Sequence, residues 1–316
     1  MHGKYPLDEV HYSDLAVYRE CPAKFKYMAD GRSKTSSQYM LLGSVFHMAV
    51  QDCVLNNASA GWLRDAQCHE YWIDQFDTVS FLHPGDAYEG VDEEVIKDWA
   101  HKFVNPSTYY GETIGSLVKN LCDWIRVGFG AEVIASELEW RVDGEPPYGG
   151  ALDLLLRDKG NRRIIADVKT SGLWNRLLVD KSVTKQSLSI AQVLHHPQLK
   201  MYHWGLWQSG QYALHEIEGY AIIFPANLVP YASGAKKGQM RGSPMQLAYL
   251  NLDSYPAVQR WSDDMHAWVS LIKNGHFHRT FPNQFGKILC ESCPYMDICF
   301  SDQSSLEVPD YLREET

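Results

Sequence analysis

Four cysteines divided between the two ends of the chain constrain its fold more than any other feature. Cys21 lies near the start, in Glu20-Cys21-Pro22-Ala23-Lys24-Phe25. Cys290, Cys293 and Cys299 lie near the end, spaced C-x2-C-x5-C. That spacing suggests a metal knuckle lacking its fourth ligand. Cys21 supplies the missing thiolate only in a fold that brings the two ends of the chain together.

The 316 residues, 45% hydrophobic and 22% charged, suit a soluble globular protein with a large core. No apolar run approaches the ~20 residues of a membrane span. Met1-His2-Gly3-Lys4-Tyr5-Pro6 has no apolar signal region, so the expected location is cytoplasmic, in a bacterium, an archaeon or a phage-infected host. Thiols there favour metal binding or catalysis over disulfides. Cys53, Cys68 and Cys122 have no ligand-like spacing and read as core residues. A net charge of −10 argues against a passive nucleic-acid coat but leaves room for an enzyme with one basic channel. Neither a phosphate-binding G-x-x-x-x-G-K-[ST] loop nor a G-x-S-x-G elbow is present, so ATP-driven and serine-hydrolase chemistry have no support.

Periodicity predicts a helix over 14–28 capped by Ser13, a polar loop over 31–38 and a helix over 39–55. Residues 56–130 read as a helical insertion, with loops at Pro84-Gly85 and Asn105-Pro106. Strands are predicted over 132–142, 149–157 and 163–169, separated by turns at 143–147 and 158–161. A polar loop over 171–189, a helix over 190–209, strands over 217–224 and 246–252, and a helix over 255–274 complete the order. The pattern implies an α/β core with a mixed sheet. We divide a single domain, 1–316, into N-terminal helices (1–55), the insertion (56–130), a sheet core (131–252) and a C-terminal helix with the cysteine knuckle (253–316).

Chemistry gathers on the predicted hairpin. Asp153 ends Gly149-Gly150-Ala151-Leu152-Asp153, and Asp167 and Lys169 lie in Ile164-Ile165-Ala166-Asp167-Val168-Lys169-Thr170. Alternate strand residues share a face, so Asp167 and Lys169 point the same way. The tight turn places Asp153 beside them. Two carboxylates at a strand edge suit a hard cation such as Mg²⁺ or Mn²⁺. A neighbouring lysine can orient water and offset phosphate charge. Gln198 and Tyr202 share one helix face, being four residues apart. His47 follows Gly43 by four residues on the second predicted helix, and His195 and His196 precede Pro197 at a helix start.

Taken in order, these motifs resemble the RecB-like branch of the PD-(D/E)XK nuclease superfamily. Ser13-x-Leu15-x-x-Tyr18-x-x-Cys21-Pro22-x-Lys24-Phe25-x-Tyr27 looks like its opening helix, and Gly43-x-x-x-His47 like its histidine motif. Gly150-x-x-Asp153 and Asp167-x-Lys169-Thr170 look like its catalytic hairpin, and Gln198-x-x-x-Tyr202 like the motif that marks the branch. The cysteines are similar to the iron–sulfur form shared by AddB-type nucleases and CRISPR-associated RecB-like exonucleases.

The resemblance implies a PD-(D/E)XK core, a central mixed sheet flanked by helices. A helical insertion and an iron–sulfur lock joining the terminal segments are added to it. It implies that His47, Asp153, Asp167 and the Val168 carbonyl bind Mg²⁺ or Mn²⁺, and that Lys169 positions the attacking water. Gln198 and Tyr202 would hold the lysine or the DNA backbone. Cys21, Cys290, Cys293 and Cys299 would hold a [4Fe-4S] cluster, with Zn²⁺ as the alternative. A further upstream carboxylate is met in some members, and Glu137 and Glu139 both qualify.

The expected activity is that of a DNA exonuclease releasing 5′-phosphates, acting on single strands or free ends in recombination, repair or phage and mobile-element DNA processing. No helicase module is present, which points to a stand-alone nuclease, with a homo-oligomer or a recombination protein as possible partner. Lys181, Lys185, Lys236, Lys237 and Arg241 are candidates for the local basic path. The alternatives are a non-catalytic nucleic-acid-binding subunit of a recombination or CRISPR assembly, and a structure-specific or RNA-directed nuclease of the same fold.

Overall fold

The computed structural model describes residues 8–30, 38–57, 59–82, 93–105, 113–173, 185–230, 235, 240–277 and 293. The chain forms two compact units, one from Ser36–Trp140 and Ala151–Tyr255, the other from Met1–Thr35, Arg141–Gly150 and Pro256–Thr316.

A five-stranded sheet organises the first unit. Its strands are β1 (Glu132–Val142), β2 (Tyr148–Arg157), β3 (Arg163–Val168), β4 (Ile217–Ile223) and β7 (Met245–Tyr249). They lie in the order β1-β2-β3-β4-β7. The β2–β3 and β4–β7 pairs are antiparallel and β3–β4 is parallel, so the sheet is mixed as the sequence implies. A separate two-stranded ribbon pairs β5 (Val229–Pro230) with β6 (Met240–Arg241).

The central position of β3 follows from its composition. Ile164, Ile165, Ala166 and Val168 are all buried, as a strand covered on both faces requires. The turn into it is built by Asp158, whose Oδ1 accepts hydrogen bonds from the amides of Gly160 and Arg162 at 2.8 and 2.9 Å. Asn161 supplies the left-handed residue of that turn, with φ of 63°.

One face of the sheet carries Leu154, Leu156, Ile164, Ala166, Val168, Ala221 and Ile223 into the largest apolar core. Helix α3 (Gln38–Leu55) meets this core with Leu42, Val45, Phe46, Ala49, Val50 and Cys53, spaced three and four apart. The predicted insertion contributes helices α4 (Ala60–Asp65), α5 (His69–Leu82), α6 (Glu93–Val104) and α7 (Ile114–Asp123). Trp62, Trp72, Leu117 and Leu121 from these helices enter the same core, so the segment is built into the first unit. Cys122 joins it too, but Cys68 does not. It is half-buried at the end of α4, with its thiol on the Asp65 carbonyl at 2.8 Å.

The connection from β3 to β4 corrects one expectation. In place of a single helix over 190–209 there are two, α8 (Ile190–Leu194) and α9 (Pro197–Gln208). Pro197 lacks an amide proton and forces its predecessor out of the helical region, and His196 sits at φ −65°, ψ 120°. The same physics corrects the first helix. It divides into α1 (Tyr12–Glu20) and α2 (Pro22–Ala29), with Cys21 extended between them. The cap is His11 rather than Ser13, and the Asp14 carboxylate accepts the His11 amide at 2.9 Å.

These two helices belong to the second unit, together with most of α10 (Tyr255–Lys273). The Tyr18 hydroxyl donates to the His276 carbonyl at 2.8 Å, and Phe25 stacks on Phe277 at 6.2 Å. The Arg19 guanidinium lies over the Trp268 and Trp261 rings at 4.5 and 5.8 Å. Cys21 and Cys293 both pack against Ala23 and Tyr27. Cys290 and Cys299 lie outside the described residues. Among the described residues, no helix is long and apolar enough to cross a membrane.

Candidate active site

The site lies at one end of the central strands. Leu154 stands opposite Ala166, so Asp153 and Asp167 are the next residues of β2 and β3 toward the same end of the sheet. The Asp153 carboxylate accepts the Val168 amide at 2.6 Å, which ties the two strand ends together. Lys169 follows β3 directly, its amide donating to the Ile223 carbonyl at 2.8 Å. This bond carries the β3–β4 ladder one residue further and fixes where the lysine side chain departs.

Lys169 is held on both sides. Its ammonium lies 2.8 Å from Asp167 Oδ2 and donates to Gln198 Oε1 at 2.7 Å. The Gln198 amide nitrogen in turn donates to the Tyr202 hydroxyl at 2.6 Å. Gln198 and Tyr202 are one turn apart on α9, so the helix presents both to the lysine. Burial keeps the Tyr202 phenol well above its usual range, aided by the charges of Asp153 and Asp167. It is a neutral hydroxyl throughout the working range of pH.

His47 comes from α3. Its Nδ1 is 3.6 Å from Asp153 Oδ2 and 3.9 Å from Glu137 Oε1. One ligand atom from each of His47, Glu137 and Asp153 falls within a 4.8 Å group. The Gly43-x-x-x-His47 spacing has a packing reason: a Cβ at Gly43 would lie 3.1 Å from the Thr170 hydroxyl. Glycine allows α3 to approach the segment just after Lys169.

Glu137 resolves the choice that spacing alone left open. Glu139 is exposed, whereas Glu137 reaches the His47–Asp153 pair. Its backbone has φ of 47° in the middle of β1, a conformation costly for a residue with a Cβ. A left-handed residue within a strand breaks the in–out alternation and re-aims a side chain. Nothing in the local sequence marks this, because the residue is not glycine or asparagine.

The electrostatics fit a cation. Burial pushes the Asp153 carboxyl up to about 7; His47 opposes the shift, and Asp167 and Glu137 reinforce it. Burial raises Glu137 as well, again opposed by His47. Asp167 is 1% exposed, and its Oδ2 has no hydrogen bond. The lysine ammonium beside that oxygen is close enough for an ion pair but off line for a hydrogen bond. Buried acids that repel one another beside an imidazole make a place where a divalent ion stabilises the fold. Carboxylate oxygens with one imidazole suit a divalent cation.

His196, read from sequence only as a helix start, is a further polar group near this site. It is half-buried, and its Nδ1 is buried without a hydrogen-bond partner. Burial lowers its pKa, with the Asp167 charge raising it and the Lys169 charge lowering it. The basic residues are less gathered. Lys185 and Arg241 are both exposed. Gln186 exchanges hydrogen bonds of 3.0 and 2.6 Å with Asn227, and Arg241 pairs with Val229, so both cations flank one short stretch of chain. Lys181, Lys236 and Lys237 lie outside the described residues.

No curated protein matches the chain significantly. A solved structure titled "Crystal structure of SSO0001" is similar at 14% identity, covering 94% of this chain and 88% of that one, with a TM-score of 0.34. The sequence model of the PD-(D/E)XK nuclease superfamily matches residues 10–300, which include the histidine motif, both carboxylate motifs and the lysine. The chain therefore belongs to the PD-(D/E)XK nuclease superfamily, whose members are metal-dependent phosphodiester hydrolases.

Proposed function

We propose that this protein is a Mg²⁺- or Mn²⁺-dependent deoxyribonuclease that works as an exonuclease on single-stranded DNA or free ends. The observation that carries the reading is the clamped lysine. Lys169 is fixed between Asp167 and Gln198, at the end of the central strand that also bears the Asp153 contact. A structural ion pair needs no such second partner, and a binding module needs no lysine among buried acids.

His47, Glu137, Asp153 and Asp167, with the Val168 carbonyl, would hold the metal. When bound, it would polarise the scissile phosphate and lower the pKa of water. Lys169 orients the attacking water and offsets charge on the phosphoryl oxygens. Gln198 keeps the ammonium in place by accepting one of its hydrogens, and Tyr202 keeps Gln198 from turning over. The water oxygen bonds to phosphorus as the bond to the 3′ oxygen breaks. The proton lost by the water balances the one gained by the 3′ oxygen, leaving a 5′-phosphate and a 3′-hydroxyl.

Lys185 and Arg241, with Lys181, Lys236 and Lys237, would form the basic path for the strand. Cys21, Cys290, Cys293 and Cys299 would hold a [4Fe-4S] cluster, with Zn²⁺ as the competing occupant. Supporting this, two of the four, from opposite ends of the chain, pack on one small apolar cluster. Recombination, repair or mobile-element DNA processing suits such an enzyme.

The test is cleavage of end-labelled single-stranded DNA, double-stranded DNA and RNA with Mg²⁺ or Mn²⁺. Metal-dependent shortening of DNA from an end is expected, lost in Lys169→Ala. Undiminished activity in a folded Lys169→Ala protein overturns the mechanism. Cleavage of RNA alone overturns the substrate.

A further inference from the structure

A buried side-chain amide costs stability unless its polar atoms are paired, so its partners show what it holds. Asn227 is buried in the turn Pro225–Asn227, directly after β4. Its side chain grips a separate segment by both backbone groups. Oδ1 accepts the Gln186 amide at 3.0 Å, and Nδ2 donates to the Gln186 carbonyl at 2.6 Å. Gln186 in turn reaches the chain beyond the catalytic lysine, its Oε1 accepting the Ser171 hydroxyl at 2.5 Å. The Asn227 carbonyl receives a third segment. Gly242 has φ of 95°, and a Cβ there would lie 2.4 Å from that carbonyl oxygen. Glycine permits both the angle and the approach. This knot is tied to the site at two points. Ile223, at the end of β4 and shortly before Asn227, accepts the Lys169 amide at 2.8 Å. Ser171 lies just beyond Lys169. Lys185 and Arg241 immediately precede Gln186 and Gly242, the two residues that meet Asn227, and both are exposed. Two cations distant in the chain are thus gathered at one buried residue.

We propose that Asn227 is a positioning residue for substrate binding. It holds together the segments that carry Lys185 and Arg241, beside the Lys169 end of the sheet, where the two cations bind phosphates of one nucleic-acid strand. Like charges brought together repel, and a chain of phosphates offsets that repulsion. Asn227 itself stays buried and touches no substrate. The inference rests on the nuclease reading above and names the residue that assembles its basic path, outside the metal set.

The test is steady-state cleavage of a short single-stranded DNA with Mn²⁺ across a series of salt concentrations. Lys185→Gln combined with Arg241→Gln removes both cations. Asn227→Leu keeps the bulk and removes both side-chain bonds; Asn227→Ser is too short to make the pair. Each Asn227 variant is made alone and together with the two cation changes, and thermal melting is measured on all of them. Each phosphate contact to a single strand contributes about 0.7 to the slope of log affinity against log salt. Removing both cations should raise KM and flatten that slope by about 1.4 for two contacts. The kcat should change far less. Asn227→Leu should raise KM and flatten the slope in the same way, although it removes no charge. Added to the cation changes, it should alter KM no further. A packing role alone would lower the melting temperature and leave the slope as in the wild type. An Asn227→Leu protein with the wild-type slope overturns the proposal, as does a further rise in KM when the cations are already gone. If Asn227→Leu does not fold, Asn227→Ser is read by the same two criteria. A wild-type protein that cleaves neither this DNA nor a single-stranded RNA defeats the nuclease reading itself, before any variant is compared. If it cuts RNA alone, the comparison is made on RNA, whose phosphates carry the same charge.

Discussion

Glu137 combines a strained backbone with a place beside His47 and Asp153. Its left-handed backbone costs on the order of 1 kcal/mol. Its carboxylate also faces Asp153, whose proton is already held by burial and by neighbouring acids. Removing the charge while keeping the side chain, as in Glu137→Gln, should raise the melting temperature of the metal-free protein and weaken Mn²⁺ binding. Glu137→Gly removes both charge and strain and should melt higher still, by about 1 kcal/mol of added stability. Calorimetry in chelator and a Mn²⁺ titration read the two effects separately. A Glu137→Gln protein that binds Mn²⁺ like the wild type would exclude Glu137 from the metal set. Asp153, Asp167 and Lys169 were legible in the sequence because an apolar run ending in charge is visible without coordinates. Glu137 was only half legible. Choosing it over Glu139 needed a backbone angle that the residue type does not announce.

At the scale of elements, α9 is the part that must be placed accurately, since it carries Gln198 and Tyr202. Two contacts among the described residues help place it. Trp140 from β1 lies against Gly205, where an added Cβ would come within 2.3 Å of the indole ring. Trp140 is 3% exposed and has little room to withdraw. Gly205→Ala should therefore cost roughly 1–3 kcal/mol and shift the helix, lowering both melting temperature and DNA cleavage. A variant with wild-type melting and activity would show that Trp140 moves freely. The second contact is His203, which links α9 to Tyr220 on β4 and to the Leu214 carbonyl. Burial lowers the His203 pKa to about 4, against about 6.5 in the unfolded chain. The unfolded state then binds the proton more readily between those values. The stability His203 contributes is complete above about pH 6.5 and is lost as pH falls toward 4, up to about 3 kcal/mol. In His203→Asn, acid unfolding should begin at a lower pH than in the wild type; an identical acid profile would assign the transition to other groups. Strand positions were readable from apolar runs and turn residues, and the sheet was expected to be mixed. The helix breaks before Pro22 and Pro197 were present in the sequence as prolines. The apolar periodicity continuing across them concealed the interruption.

For the whole molecule, the candidate cation-binding residues and the described terminal cysteines fall in different compact units. His47, Glu137, Asp153, Asp167 and Lys169 belong to the sheet unit. Cys21 and Cys293 belong to the unit assembled from Met1–Thr35, Arg141–Gly150 and Pro256–Thr316. That second unit gathers three segments far apart in sequence. Bringing such segments together costs chain entropy that rises slowly with loop length. Metal–thiolate bonding at the proposed cysteine site would offset that cost, because ligands absent from the unfolded chain turn binding energy into folding energy. The proposed cation site of the sheet unit needs no such help, since a large apolar core already supports it. The two sites should therefore fail independently. On the proposed reading, a chelator that strips Mg²⁺ or Mn²⁺ should abolish cleavage while any iron held by the cysteines, its visible absorption and the overall fold remain. Cys21→Ala should do the reverse in order: iron and colour are lost, the melting temperature falls, and cleavage declines only as the protein unfolds. Trp261 and Trp268, which flank Arg19 in the second unit, provide a fluorescence signal for that loss. A Cys21→Ala protein that is colourless, melts like the wild type and is inactive would move the thiolate site from scaffold to working part. A colourless wild-type protein with stoichiometric zinc would keep the scaffold role and replace the cluster.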